Sequence, residues 1–175
     1  MRNAKSTGQE APGGPGQPFR LLFVCTGNTC RSPLAEAIAR REAERRGWTT
    51  LEVGSAGVAA FPGGAASQGS LVVGERHGLD LSSHRSRPLT PELLAEVDLV
   101  LTMSESHLAM VDSAGGADRA ELVTRFVERE EGRPDTKSGV PDPFGGPIEL
   151  YEETYEALES LVRRALDRLA VVIEP

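Results

Sequence analysis

Apolar positions along the chain follow two rhythms. Short continuous runs suit buried strands, and positions recurring three and four residues apart suit helices. Phe19-Arg20-Leu21-Leu22-Phe23-Val24 reads as a first strand. The small, polar segment Cys25 to Ser32 follows, and a helix runs through Leu34, Ala37, Ile38 and Arg41 to stop near Gly47. Ser32-Pro33 reads as its N-cap and first helical residue. The alternation repeats with strand Leu51-Glu52-Val53, a weak helix from Ala65 to His77 closed by Gly78, and a helix from Pro91 to Glu96 capped by Thr90. Strand Asp98 to Met103, helix Ser104 to Val111 and strand Glu121-Leu122-Val123 come next. Residues 128–147, with Pro134, Pro141, Pro143 and Pro147, read as a loop. Ile148, Tyr151, Tyr155, Leu158, Leu161, Val162, Ala165 and Leu169 then mark a long amphipathic helix, acidic early and rich in arginine late.

Strands separated by helices imply parallel pairing through right-handed crossovers. The expected fold class is therefore α/β, a three-layer sandwich around a four-stranded, mostly parallel sheet. A chain of 175 residues suits one domain, here residues 19–175. Residues 1–18, rich in Gly, Pro and Gln, read as a flexible tail and not as a secretory signal.

Composition narrows the class further. Apolar residues make up 39% and charged residues 26%, as in ordinary globular chains. A net charge of −7 argues against nucleic acid as a partner. No apolar run approaches the eighteen or so residues of a membrane span, so no membrane is expected. Two cysteines cannot staple a secreted scaffold, which points to a reducing cytoplasm.

The loop after the first strand carries the chemistry. In an open α/β sheet, ligands bind beyond the carboxyl ends of strands, against helix N-termini. Gly27 and Asn28 tolerate positive φ, so Thr26, Gly27, Asn28, Thr29, Cys30, Arg31 and Ser32 can curl with their N–H groups inward as an anion nest. Arg31 adds a planar fork that grips two phosphate oxygens. Cys25 lies at the base, where positive partial charge favours the thiolate and Ser32 can donate a hydrogen bond to it. A nucleophile beneath an oxyanion cradle suits phosphoryl transfer through a cysteinyl-phosphate. The plainer reading of Cys25 alone is a small buried apolar residue.

Val24-Cys25-Thr26-Gly27-Asn28-Thr29-Cys30-Arg31-Ser32-Pro33-Leu34-Ala35-Glu36 resembles the signature of the low-molecular-weight protein tyrosine phosphatase family. The likeness covers roughly residues 19–172, through Ser55-Ala56-Gly57, Ser83-His84-Arg85-Ser86, the strand from Asp98 to Met103, and Pro141-Asp142-Pro143-Phe144-Gly145-Gly146. The Gly/Pro tail and the Gly-rich stretch around Gly63 and Gly69 depart from it. The resemblance makes Cys25 the nucleophile, Arg31 the phosphate clamp and Asp142 the general acid and base, where residues alone would leave Asp142 a solvated loop aspartate. It also places Asn28 in a left-handed conformation held by Ser55 and His84. Cys30 becomes a redox partner able to form a reversible disulfide with Cys25, against a plain packing role. No cofactor and no metal are expected, because Arg31 and the backbone N–H groups supply the positive charge and no metal-binding motif is present. His77 and His107 are expected to have no role, at a helix end and a helix surface.

Thr29 and Phe144 bear on the substrate. Tyrosine phosphatases of this family usually carry a larger aliphatic residue at the Thr29 position, and aromatic residues in succession after Asp-Pro. Thr29 and Asp142-Pro143-Phe144-Gly145-Gly146 are instead similar to the bacterial protein arginine phosphatase branch. A guanidinium leaving group prefers a hydroxyl and a carboxylate to an apolar wall, and Phe144 can flank the pocket. The expected function is hydrolysis of the phosphorus–nitrogen bond of phosphoarginine in proteins by a monomer. The alternatives are a phosphotyrosine phosphatase, and a non-catalytic phosphate or redox sensor using the same nest. A thioredoxin-linked arsenate reductase needs further cysteines that the chain lacks.

Overall fold

A computed structural model describes residues 16–129 and 139–173. Four strands, β1 (Phe19–Cys25), β2 (Leu51–Gly57), β3 (Leu99–Thr102) and β4 (Ala120–Leu122), form one sheet in the order β2-β1-β3-β4. Every pairing is parallel. The α/β fold expected from the alternation is the one observed, with the sheet wholly rather than mostly parallel.

Six helices connect and cover the strands: α1 (Arg31–Arg45), α2 (Gln68–Arg76), α3 (Pro91–Ala95), α4 (Glu105–Val111), α5 (Val123–Glu128) and α6 (Ile148–Ile173). The period-two alternation of β1 sorts them into layers. Leu21, Phe23 and Cys25 face a core shared with Leu34 and Ile38 of α1, Val73 of α2, Val123 and Val127 of α5, and Tyr155, Leu158 and Val162 of α6. Leu22 and Val24 face a smaller core containing Ala56, Leu94, Val97, Val100 and Val111. The sheet is therefore the middle of three layers, and β1 lies inside it, paired on both edges.

Local signals explain most boundaries. Gly47 (φ +69°) and Gly78 (φ +76°) follow the ends of α1 and α2 in a conformation that other residues resist. Thr90 caps α3 by accepting from the Leu93 N–H, with Pro91 at the first turn. Other boundaries correct the expectations. Helix α1 begins at Arg31, with Cys30 as an N-cap that makes no side-chain cap bond. Ser32 lies inside the first turn, and its hydroxyl is engaged by Cys25 and Asn28 instead. Strand β2 runs four residues past Val53, because Gly54 to Gly57 pair in register with Leu22 to Cys25. Val123, read as the end of a strand, opens the unforeseen helix α5. A single wide turn, Asp112–Gly116, extends α4. Most of the N-terminal tail and residues 130–138 of the expected loop lie outside the described residues.

Candidate active site

Cys25 is the last residue of β1 and Arg31 the first of α1, so the segment between them lies where the middle strand meets a helix N-terminus. Its carbonyls are almost all taken from outside. The N–H groups of Val58 and Ala59 donate to the carbonyls of Cys25 (3.0 Å) and Thr26 (2.9 Å). His84 Nε2–H donates to the Asn28 carbonyl at 2.7 Å, Ser67 N–H to that of Thr29 at 2.8 Å, and the Ser70 hydroxyl to that of Cys30 at 3.1 Å. In a trans peptide the C=O and the following N–H point in opposite directions. Holding these carbonyls outward turns the N–H groups of Thr26, Gly27, Thr29, Cys30 and Arg31 toward the concave side.

Asn28 sets the curl. It is fully buried, with φ +55°, an uncommon conformation that asparagine tolerates. The Arg87 N–H donates to its Oδ1 at 3.0 Å, which fixes the orientation of its amide. Its Nδ2 group then donates to Ser32 Oγ (2.8 Å) and Ser55 Oγ (2.9 Å). The Ser55 hydroxyl in turn donates to the Glu36 carboxylate, which is paired with Arg40. With Asn28 donating to Ser32 Oγ, the Ser32 hydroxyl hydrogen is free for its remaining neighbour, Cys25 Sγ at 2.9 Å. The network is thus polarised to present a hydroxyl donor to the sulfur. His84 holds the main chain of Asn28 rather than its side chain, a shift from the expected contact.

Cys25 is 2% exposed and Arg31 is buried. The Arg31 guanidinium donates to the Val140 carbonyl at 2.9 Å and lies 3.5 Å from the half-exposed Asp142 carboxylate. Arg31 Nε is buried with no partner among the described residues, so a phosphoryl oxygen in the cradle would satisfy it. The loop that carries Asp142 is docked by Val140 N–H donating to the Met103 carbonyl beyond the end of β3. Asp142 turns back on its own loop and accepts from the Phe144 N–H at 3.1 Å. Cys25, Thr26, Gly27, Thr29, Cys30, Arg31, Asp142 and Phe144 line one cavity of about 190 Å³. Phe144, at 74% exposed, forms an open wall.

Cys30 is buried, its sulfur 3.2 Å from Ser67 Oγ and 3.8 Å from the Tyr151 hydroxyl. Both cysteines are free thiols. His107 departs from expectation. It is 3% exposed, and its Nε2 lies 2.8 Å from Thr26 Oγ1 in the loop between β1 and α1. Burial, reinforced by the Arg31 charge and opposed by Asp142, lowers its pKa to about 4, so it is neutral near pH 7. The signal available in sequence was its place three residues after the cap Ser104, just beyond a strand's carboxyl end. His77 does lie at a helix end, where it braces two helices against each other, stacked on Tyr155 at 3.8 Å and bonded to Glu152 at 2.7 Å.

A sulfur nucleophile under a cradle of N–H donors, a buried arginine beside it and a carboxylate at the mouth can displace and then hydrolyse a phosphoryl group. Among the described residues no group of three His, Cys, Asp or Glu side chains is placed to hold a metal ion, and no helix is long and apolar enough to cross a membrane.

Comparison with known proteins agrees with this geometry. A family model described as low molecular weight phosphotyrosine protein phosphatase matches residues 20–172. The chain is 41% identical over 152 residues to a protein-arginine-phosphatase of Bacillus subtilis (strain 168), covering 85% of this chain and 95% of that one. It is 32% identical to the low molecular weight protein-tyrosine-phosphatase Wzb of Salmonella typhi, over 83% of this chain and 90% of the other. Among solved structures, a mutant of the YwlE arginine phosphatase with a phosphorylated active site serine superposes with a TM-score of 0.79 at 38% identity, covering 86% and 95% of the two chains.

Proposed function

The chain belongs to the low molecular weight phosphotyrosine protein phosphatase family, and from that premise we propose that it hydrolyses phosphoarginine in proteins. The observation that carries the reading is the one cavity in which Thr29 and Asp142 stand together with Cys25 and Arg31. A phosphorylated guanidinium presents N–H groups beyond the phosphorus, and a hydroxyl and a carboxylate are suitable acceptors for them. The 41% identity to a protein-arginine-phosphatase supports the same choice.

In the proposed mechanism Cys25 Sγ attacks phosphorus in line and the P–N bond breaks as the S–P bond forms. The loop N–H groups and Arg31 hold the equatorial oxygens, and Asp142 gives its proton to the leaving nitrogen. Asp142 then takes a proton from water, which attacks the cysteinyl-phosphate and releases inorganic phosphate with the thiolate restored. A phosphorylated active site serine in a YwlE mutant supports a covalent route. Asn28, Ser55 and His84 act as the frame of the loop, and Cys30 as the redox partner of Cys25. All of these residues come from one chain, which supports a monomer comprising a single phosphatase domain. A nucleophile that must stay reduced supports a cytoplasmic site of action.

The test is kcat/KM on matched phosphoarginine and phosphotyrosine peptides, for the parent and for Thr29→Ile. The proposal expects phosphoarginine to be preferred and the preference to weaken in the variant. A parental preference for phosphotyrosine would overturn it and favour the second reading, for which the open face of Phe144 offers a surface to an aromatic ring.

A further inference from the structure

A second cavity, of about 340 Å³, lies against the frame of the phosphate loop and shares no lining residue with the catalytic cavity. Ser55, His84 and Arg87 line it, and each also holds Asn28, through Ser55 Oγ, His84 Nε2 and the Arg87 N–H. In a chain of net charge −7, three arginines line it: Arg85, Arg87 and Arg40, the last also donating to the Val53 carbonyl at 2.9 Å. Two carboxylates also line it. Glu36 is committed to Arg40 and Ser55, and one oxygen of Asp80 accepts from the Ser82 N–H.

Arg85 and Arg87 stand apart from arginines such as Arg20, Arg41, Arg46 and Arg76, all of which are paired with carboxylates. Arg85 donates only to main-chain carbonyls, of Ser82 (3.2 Å) and His84 (2.7 Å). Arg87 donates through Nε to the Ser55 carbonyl at 2.8 Å. Neither has a carboxylate partner among the described residues. One terminal nitrogen of Arg87 lies over Gly54, and the donors left on the two guanidiniums, beside a histidine at the edge of a polar hollow, are of the kind a tetrahedral dianion accepts.

We propose that this cavity is a second anion site, taking inorganic phosphate or a small phosphate monoester between Arg85 and Arg87 with Arg40 at its edge. Its volume exceeds that of a bare phosphate and leaves room for the organic part of an ester. Occupancy bridges the 83–87 segment to α1. That segment supplies two of the bonds on Asn28, so the bound anion is coupled to the conformation of the phosphate loop.

The experiment is a titration with inorganic phosphate, and separately with glycerol 3-phosphate, followed by the NMR signals of the Arg85 and Arg87 Nε–H groups and the Asn28 side-chain amide. Arg31→Met removes the main clamp of the catalytic loop, and Arg85→Gln, alone or added to it, removes the proposed site. In Arg31→Met the expected result is a saturable shift of all three signals, with a Kd below about 10 mM, that Arg85→Gln abolishes. In the parent chain the titration shows two components, of which Arg85→Gln deletes one, so the outcome does not depend on Arg31→Met folding well. The ester binding more tightly than phosphate would identify the occupant as an ester, and the reverse order as free phosphate. Shifts that fail to saturate or that sodium chloride reproduces at equal ionic strength overturn the site, as do shifts that survive Arg85→Gln in the Arg31→Met background or two components that both survive it in the parent. A silent Asn28 amide overturns the coupling. The probe is not a phosphorylated residue, so the result is independent of substrate preference.

Discussion

Replacing Asn28 tests the polarised network most directly. Asn28→Ala deletes two donors and one acceptor at a fully buried position and leaves alanine at φ +55°. The left-handed backbone costs about 1 kcal/mol or more in alanine. The orphaned Arg87 N–H costs about 1–3 kcal/mol, and loss of the two serine bonds adds about 1 kcal/mol. The total is about 3–5 kcal/mol, or a fall in Tm of about 10 °C for a domain of this size. Asn28→Asp separates shape from polarity. Aspartate keeps the size and tolerates the same backbone, and it still accepts from Arg87. Its carboxylate, however, can only accept, so it draws the Ser32 hydroxyl hydrogen away from Cys25. Removing a hydrogen bond from a charged sulfur is worth about 1.5–3 kcal/mol, so kcat/KM should fall by about 10- to 150-fold. Urea unfolding and steady-state kinetics on both variants make the measurement. Asn28→Asp within threefold of the parent, or Asn28→Ala less destabilised than about 1 kcal/mol, would refute the reasoning.

Asp142→Asn should lower kcat by about 10²- to 10⁴-fold on substrates whose leaving group needs a proton. With an activated aryl phosphate it should still give a burst and a trapped phosphoenzyme, and an unchanged steady-state rate would remove Asp142 from both steps. Cys30→Ser should turn peroxide inactivation from thiol-reversible to irreversible, read as activity recovered after dithiothreitol; equal recovery in parent and variant would leave Cys30 a packing residue. His107 titrates near 4 in the fold against 6.5 for the free side chain, so its contribution to stability is intact above about pH 6.5 and declines as pH falls toward 4. The full difference is worth about 3 kcal/mol, and His107→Gln should lose distinctly less stability than the parent between pH 7 and 4.5. Parallel urea midpoints for the two proteins across that range would contradict it.

What the sequence revealed depended on how far each partner lies along the chain. The cradle from Cys25 to Ser32 was legible because its strand, glycine, arginine and helix start are contiguous. The cap was misassigned because Ser32 and Cys30 compete locally, and the winner was decided by Asn28 and Cys25, which claim the Ser32 hydroxyl. Strand β2 looked short because Gly54 to Gly57 carry little apolar side chain, although they pair fully with β1. Those small residues make room: Arg87 lies over Gly54, and a Cβ on Gly57 would meet the Thr26 carbonyl at 2.4 Å. His107 reads in sequence as a helix-surface residue without a role because Thr26, its partner, lies 81 residues away. Glu36 and Val140 belong to the same class, joined to the site by contacts that no local pattern announces.

The wholly parallel sheet also has a consequence for protein synthesis. No strand can pair with its neighbour until a crossover has formed, and Cys25 leaves the ribosome long before the residues that shape its surroundings. The frame of its loop arrives with Ser55, His84 and Arg87, the anchor of Arg31 with Val140, and the cover of α1 only with α6. Until each of them arrives, Cys25 stands on an unfinished chain without that part of its surroundings. Its setting is assembled in stages from segments far apart in the sequence, with Val140 and α6 the last to join. A chain that stops before α6 therefore carries Cys25 and its loop but lacks the helix that covers α1.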